Sequence, residues 1–340
     1  MNEDVFLLAY GTRPEFLKIK PLINEFRRTG VNYRVLFTGQ HVNIGQFEYD
    51  YSININESGI NRLDLIVKSI MDKLSYIISN ISVKAVIVQG DTTSAMAVAL
   101  SAFHNKIKVI HLEAGLRTYD NNNPYPEEVN RKIITQIASV NLCPTELSKS
   151  NLQYESVNTD SIYVVGNTVI DNLLPYMNKC KYENKILVTL HRRENHEILD
   201  KWFTTINNIA KKNKEFEFII PLHPNPNVQK YKSLLTDLTV INPLEYNDLL
   251  NLLVKTRLVI TDSGGLQEEC SFFNKKCLVC RTETERPEAL EQSSFLVKSP
   301  ELLSDLFDEH IKSYAIKYKS PFGDGHASEK ITQILMNGTW

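Results

Sequence analysis

Apolar and polar positions along the chain follow one repeating scheme: a short, almost uniformly apolar run, then a longer amphipathic stretch. In the first half the apolar runs are VFLLAY (5–10), YRVLFT (33–38), KAVIVQ (84–89), KVIHLE (108–113), VNLC (140–143) and IYVVG (162–166). Helical patterns such as PEFLKIKPLINEFRR, TSAMAVALSAFHN, EEVNRKIITQIAS and ELSKSNLQYE lie between them. A strand with one face in water alternates apolar and polar residues, whereas a strand covered on both faces does not. Uniformly apolar strands, each followed by a helix, predict a parallel sheet with helices on both sides.

The second half repeats the scheme with KILVTLH (185–191), FEFIIPLH (216–223), LTVINP (238–243), RLVITDS (257–263), KCLVCR (276–281) and SFLVK (294–298). Around 170–184 the stretch DNLLPYMNKCKYEN reads as a helix running into a polar connector. The expected fold class is therefore α/β, with two Rossmann-like doubly wound domains: 1–170, and a second beginning at 171 and extending to 326. Two such halves make a cleft, and ligands of open parallel sheets sit beyond the carboxyl ends of the strands.

Composition adds limits. A chain of 340 residues is long enough for about two cores, and 42% hydrophobic with 23% charged residues is ordinary globular material. A net charge of −2 gives no electrostatic case for a nucleic-acid or membrane partner. The apolar run near the N-terminus is too short for a membrane span and has the wrong flanks for a signal peptide. Cys143, Cys180, Cys270, Cys277 and Cys280 have no disulfide spacing, and the C-x-x-C in KKCLVC lies inside a strand-like run. They read as small buried hydrophobes in a reducing, cytoplasmic compartment. No internal period of 20–50 residues is visible.

The strand ends carry the candidate chemistry. After the first strand comes GTRPEFLK, where Gly11 permits a tight turn, Pro14 suits a first helical turn, and Arg13 and Lys18 add positive charge. That is either an anion site or a plain strand–helix turn. After the third comes QGDTTSAMA, in which Asp91 is either a helix cap or an active acid. After the fourth comes Glu113, directly on the apolar KVIHL, and a loop leads from it to Glu127 and Glu128 at a helix start. Three carboxylates at neighbouring element ends would raise the pKa of at least one and could exchange protons near neutral pH.

In the second half His191, Arg192 and Arg193 stand at a strand end, in either a structural or a phosphate-facing role. His223 in PLHPNP reads as structural. ITDSGGLQEE is the strongest local signal: Ser263, Gly264 and Gly265 turn, and the helix after them begins at LQEECSFF. Glycines let backbone N–H groups approach a phosphate, and Glu269 could accept from ribose hydroxyls. Neither a G-x-G-x-x-G nor a P-loop motif is present, so a nucleotide-activated substrate handled without a redox cofactor fits better than a dinucleotide.

Taken together, GTRPEFLK, TGQH, QGDTTS, HLEAGLRT, PYPEEVNR, PTELSKSNL, VGNTVIDNLL, HRREN, LHPNPN, TDSGGLQEE, ERPEA and SPFGDGHA resemble, in order, the non-hydrolysing UDP-N-acetylglucosamine 2-epimerase family. The resemblance covers nearly the whole chain. It implies the two-domain GT-B architecture, an active site in the interdomain cleft, and a last helix (327–340) that returns to the first domain. It also implies inversion at C2 of a UDP-2-acetamido sugar, by anti elimination of UDP to a 2-acetamidoglucal and re-addition, without NAD or metal, in a homodimer. Catalytic roles pass to Asp91, Glu113 and Glu127, with His191 assisting the diphosphate and Arg13 and Lys18 neutralising it. Ser263, Gly264 and Gly265 match the phosphate cradle, and Glu269 the ribose ligand. Glu113 and Glu127 then read as two walls of one sugar pocket with Asp91 as the third. Arg117 and Arg131 read as structural partners of these acids, and Glu128 as a solvent-facing neighbour.

Some members of the family use a second UDP-GlcNAc as an activator, held partly by residues after the Q-H motif. Gln40 and His41 are present, but VNIGQFEYDYSININESG (42–59) lacks the polar and basic pattern, so activation is not carried over. The same region borders the sugar, which leaves a 6-deoxy or diacetamido uronic acid relative open as substrate. The rival readings are a glycosyltransferase of the same fold, a hydrolysing 2-epimerase, against which Pro14 argues, and a non-catalytic sugar-nucleotide sensor.

Overall fold

The structure is a computed structural model that describes residues 4–41, 47–53, 55, 62–338 and 340. Most of the 42–59 stretch therefore lies outside the described residues. The chain divides into two compact units, Met1–Asn172 with Gly323–Trp340, and Leu173–Phe322.

The first unit runs β1 (Val5–Tyr10), α1 (Arg13–Thr29), β2 (Tyr33–Phe37), β3 (Tyr51–Ser52), α2 (Arg62–Ser79), β4 (Val83–Gln89), α3 (Thr93–His104), β5 (Lys108–Leu112), α4 (Glu127–Ile137), β6 (Val140–Cys143), α5 (Glu146–Tyr154) and β7 (Ile162–Val164). Its seven strands pair in parallel in the order β3-β2-β1-β4-β5-β6-β7. Strand β1 shows why an all-apolar pattern is needed. Phe6, Leu8 and Tyr10 enter one core with the inner faces of α1, while Leu7 and Ala9 enter another with α2 and α3. The second unit runs β8 (Lys185–Thr189), α6 (Leu199–Lys212), β9 (Glu217–Pro221), α7 (Pro226–Gln229), β10 (Thr239–Ile241), α8 (Tyr246–Leu253), β11 (Leu258–Thr261), α9 (Gly264–Phe272), β12 (Lys276–Val279), β13 (Ser294–Leu296) and α10 (Leu303–Lys312). Its six parallel strands lie in the order β10-β9-β8-β11-β12-β13. The final helix, α11 (Ala327–Asn337), puts Ile331 and Leu335 into the core that α1 also lines, so the chain ends on its first unit.

Both sheets wind outward from a central pair, β1/β4 and β8/β11. The crevice of a doubly wound sheet opens where the strand order reverses. The segments beyond those four strand ends are the sequences from Gly11, Asp91, Leu190 and Asp262 onward, which hold most of the predicted site.

Details depart from the sequence reading. β1, β4 and β6 end where their apolar runs end, whereas the other predicted strands stop one or two residues short, so Glu113, His191 and Asp262 all lie past a strand. The helix expected in the 170–184 stretch is a 3-10 helix, Thr168–Lys179, with Pro175 inside it. The helix of the SGG motif starts at Gly264, inside the glycine pair, because Ser263 caps it by accepting from the Leu266 N–H.

Candidate active site

In the first unit the turn after β1 is locked before any ligand arrives. Thr12 caps α1, and the Glu15 carboxylate reaches back to the N–H groups of Gly11 (2.9 Å) and Thr12 (2.7 Å), a capping box. Glu15 also accepts from Thr92 Oγ1 at 2.7 Å, tying this turn to the one after β4. Burial raises the pKa of Glu15, against the lowering effect of these hydrogen bonds. Arg13 opens α1 half-buried, and Lys18 follows one turn further on.

Lys18 does not wait for an anion. Its ammonium contacts both oxygens of Glu113, at 2.6 Å to Oε1. Gln89 and Asn167 donate to the same carboxylate, Asn167 at 3.0 Å. Glu113 itself holds a φ of +67°, a left-handed conformation that costs a non-glycine residue about 1 kcal/mol. Two residues on, Gly115 has φ +89° and passes so close to α5 that a Cβ would lie 2.2 Å from the Ser148 carbonyl oxygen. The loop after β5 is thus pressed onto α5, and Glu113 is turned toward β4, where its Oε2 lies 3.6 Å from the Cβ position of Gly90.

Asp91 is the next residue after Gly90. It does not cap α3, because Thr92 does, accepting from the Ala95 N–H. Arg131 instead binds the Asp91 carboxylate through Nε at 3.1 Å and through Nη2, and Asn130 donates to the Asp91 carbonyl at 2.9 Å. Arg131 lies on α4, one turn after Glu127, so α4 supplies the cation for Asp91. The crowding of acids expected from the sequence is offset by a cation at each of two positions: Lys18 at Glu113 and Arg131 at Asp91.

Two expectations about neighbours are corrected. Glu128 is fully buried rather than solvent-facing; it accepts from the Thr118 and Tyr119 N–H groups at 3.1 and 3.0 Å and from Arg131 at 3.1 Å. Alternation of polar residues at a helix start could not show that the preceding loop folds back over it. Arg131 holds an acid as expected, but Arg117 pairs with Glu155 on the C-cap of α5, at 2.7 Å through each of Nε and Nη2, and not with a candidate catalytic acid.

In the second unit a cavity of about 290 Å³ is lined by residues at or after the ends of β8, β9, β10 and β11, among them His191, His223, Tyr246, Ser263, Gly265 and Glu269. Glu269 is buried and accepts from Tyr246 Oη at 2.8 Å, while burial and then Glu269 push the Tyr246 pKa up. His191 lies 3.4 Å from Asp262 through Nδ1, and its ring stacks on His223 at 5.0 Å between centroids. Gly264 has a steric reason. A Cβ there would fall 2.6 Å from Arg286 Nη1 and 2.9 Å from Glu285 Oε1. Glu285 in turn pairs with Arg281, Arg286 and Arg192. Although burial raises its pKa, these guanidiniums hold it well below the usual carboxylate range. A helix start with glycine N–H groups, an arginine-bounded rim and a buried glutamate has the donor and acceptor set for a diphosphate and a ribose.

Tyr246, Asp262, Gln89, Asn167, Glu285 and the cavity face of His223 were not singled out as site residues from the sequence. Tyr246 and Asp262 follow strands, so the strand-end rule pointed toward them; Gln89 and Asn167 gave no signal. Among the described residues no group of three His, Cys, Asp or Glu side chains could hold a metal ion, and no helix is long and apolar enough to cross a membrane.

A model of the UDP-N-acetylglucosamine 2-epimerase family matches residues 24–336. The UDP-N-acetylglucosamine 2-epimerase of Campylobacter jejuni is 39% identical over 98% of this chain and 97% of its own length. The crystal structure of the Neisseria meningitidis UDP-GlcNAc 2-epimerase bound to UDP-GlcNAc is similar with a TM-score of 0.87 and 35% identity, over 98% of this chain and 100% of that one. That of the Methanocaldococcus jannaschii enzyme, in complex with UDP-GlcNAc and UDP, has a TM-score of 0.82 at 29% identity, covering 99% and 100% of the two chains. With motifs, fold and relatives in agreement along nearly its whole length, the chain belongs to the UDP-N-acetylglucosamine 2-epimerase family.

Proposed function

We propose that this protein interconverts UDP-GlcNAc and UDP-ManNAc, inverting C2 of the sugar. The observation that carries the reading is the division of labour between the units. One holds charge-paired carboxylates at its switch point, and the other holds a cavity with the donors and acceptors of a diphosphate and a ribose. The C2 hydrogen is not acidic, because C1 is an acetal carbon. Breaking C1–O gives C1 oxocarbenium character, which nearby carboxylates stabilise, and loss of the C2 proton then completes an anti elimination of UDP. The product is a 2-acetamidoglucal. Protonation of C2 on the opposite face and re-addition of UDP to C1 give the epimer, and no net proton or electron is gained.

Asp91, Glu113 and Glu127 divide the acid and base work at C2. Lys18, which the resemblance assigns to the diphosphate, contacts Glu113 and holds that carboxylate in place, as Arg131 does for Asp91. Arg13 and His191 neutralise the departing diphosphate, the N–H groups of Gly264 and Gly265 with Ser263 cradle it, and Glu269 takes the ribose. By its resemblance the enzyme works as a homodimer in the cytoplasm; sedimentation of the purified protein tests the assembly. The relatives are named as 2-epimerases, and neither the glycosyltransferase nor the sensor reading has such support.

Incubation with UDP-GlcNAc in D2O, followed by NMR, tests the proposal. Deuterium at C2 together with UDP-ManNAc is the expected result. Free ManNAc would make the enzyme a hydrolase, and no exchange would remove this substrate.

A further inference from the structure

In the segment VGNTVIDN (165–172) the polar side chains go to different places, all of them within the first unit. Asn167 is buried, and its Oδ1 accepts the Val169 N–H at 3.2 Å, which leaves Nδ2 to donate to Glu113 at 3.0 Å. Asp171 accepts from the N–H groups of Ala327 and Ser328 at 3.0 and 2.7 Å, at the start of α11. Thr168 Oγ1 donates to the Lys18 carbonyl, and Asn172 Nδ2 donates to the Leu17 carbonyl at 2.9 Å.

The last two acceptors lie in the middle of a helix, where a carbonyl is ordinarily taken by the N–H four residues on. Pro21 supplies the reason. It stands inside α1 at the position that would serve Leu17, it has no N–H, and its ring crowds the carbonyl four residues back. Asn172 fills the carbonyl that Pro21 leaves open, and Thr168 takes the next one. Lys18 is therefore held by its backbone where α1 lacks a rung, and by its side chain at Glu113. Glu113 is held in turn by Lys18 and Asn167, so one short segment grips both members of the ion pair. The segment is itself braced. Gly166 has φ +94°, and a Cβ on Gly323 would lie 3.1 Å from the Gly166 Cα, so the chain leading into α11 packs directly on this turn.

We propose that Thr168 and Asn172 are positioning residues for the reaction: they fasten the turn of α1 interrupted by Pro21 and so set the Lys18 ammonium on the Glu113 carboxylate. Both act through backbone carbonyls. The proposal rests on reading Glu113 as an acid or base at C2.

Steady-state kinetics with UDP-GlcNAc and urea denaturation of the same variants test it. Asn172→Ala leaves the Leu17 carbonyl without either donor and should lower kcat about tenfold with KM within about twofold. Thr168→Val keeps the side-chain shape, and the Lys18 carbonyl can still take the Leu22 N–H, so a loss of about threefold is expected. Pro21→Ala restores the missing N–H. In that background Asn172→Ala should cost less than about threefold in kcat and in the unfolding constant, against about tenfold in each with the proline in place. Equal losses in the two backgrounds, or an unfolding constant that moves while kcat does not, would overturn the proposal. With the ammonium removed by Lys18→Met, Asn172→Ala should lower the residual kcat by no more than about twofold; a further loss of about tenfold would show that Asn172 does not act through Lys18. NMR of the ammonium groups in protein labelled with 15N-lysine, assigned with Lys18→Met, reads the contact without substrate. The Lys18 signal should shift or broaden in Asn172→Ala, and an unchanged signal would count against the proposal. If the wild-type enzyme left UDP-GlcNAc untouched in D2O, the functional reading would fall, while the ammonium signal and the denaturation cycle would still decide whether this segment holds Lys18.

Discussion

Replacing Lys18 by methionine keeps most of the side-chain length and removes the charge, leaving the Glu113 carboxylate without its cation. The carboxylate is 5% exposed and the ammonium 18%. Orphaning one member of a fully buried pair costs about 3–5 kcal/mol. Here two neutral donors, Gln89 and Asn167, stay on the carboxylate, and some water reaches the pair, which lowers the expected cost to about 2–3 kcal/mol. Glu113→Gln orphans the wetter partner and should cost only about 1 kcal/mol. The double variant carries no charge at either position and should be less destabilised than the sum of the singles, with a coupling energy of about 1.5–2 kcal/mol. Urea denaturation followed by a fluorescence or circular dichroism signal measures all four corners of this cycle at neutral pH. In parallel, both single variants should lose most turnover of UDP-GlcNAc while still binding UDP, because the cavity proposed for the nucleotide is lined by residues of the other unit. A coupling energy below about 0.5 kcal/mol, with additive losses, would show that Lys18 does not hold Glu113. Retained turnover in Glu113→Gln would remove that carboxylate from the mechanism.

Other expectations can be checked individually. Gly115→Ala places a methyl 2.2 Å from the Ser148 carbonyl oxygen at a φ of +89°, so the protein should be insoluble or destabilised by more than about 3 kcal/mol, measured by thermal melting. Glu128→Gln weakens the buried tie between Arg131 and the N–H groups of Thr118 and Tyr119; a loss of about 2 kcal/mol and a fall in kcat larger than the change in KM are expected. Lys275 is fully buried, donates to the Lys181 and Thr256 carbonyls, and burial lowers its pKa to about 8 from 10.5. The unfolded chain therefore binds more protons between these values, so stability should rise with pH across that window. Lys275→Met should abolish that rise in denaturation curves taken at successive pH values.

How much of this was legible in the sequence depends on the range of the interaction. The sheets were, because burial on both faces leaves a mark at every position: Phe6, Leu8 and Tyr10 serve one core and Leu7 and Ala9 the other, so no polar residue is tolerated in between. The position of the site was legible for a related reason. Each doubly wound sheet has its own crevice; Asp91 and Glu113 follow strands at or beside that of the first unit, and His191 and the SGG turn follow strands at that of the second. Helices α2 and α6 carry plain amphipathic patterns that locate them but say nothing of chemistry.

Arg131 was legible as a partner of these acids, but most side-chain partners were not, because they join residues far apart in the chain: Lys18 and Glu113 are separated by 95 positions, and Asn195 and Asp262 by 67. Local composition identifies an acid at a strand end; it does not say which cation the fold will bring to it. Glu128 shows the consequence. Next to Glu127 at a helix start it looked like a solvated neighbour, yet it is the more deeply buried of the two, because the Thr118–Tyr119 turn closes over it and needs its oxygens. The residue left half-exposed, Glu127, is the one that the proposed mechanism assigns to the sugar. The same logic separates the acids by function. An acid whose hydrogen bonds are filled by backbone N–H groups and a buried guanidinium, as in Glu128, has a structural duty. Asp91 shares that same guanidinium but keeps a quarter of its side chain exposed, and Glu113 is held by side-chain donors, Lys18 among them.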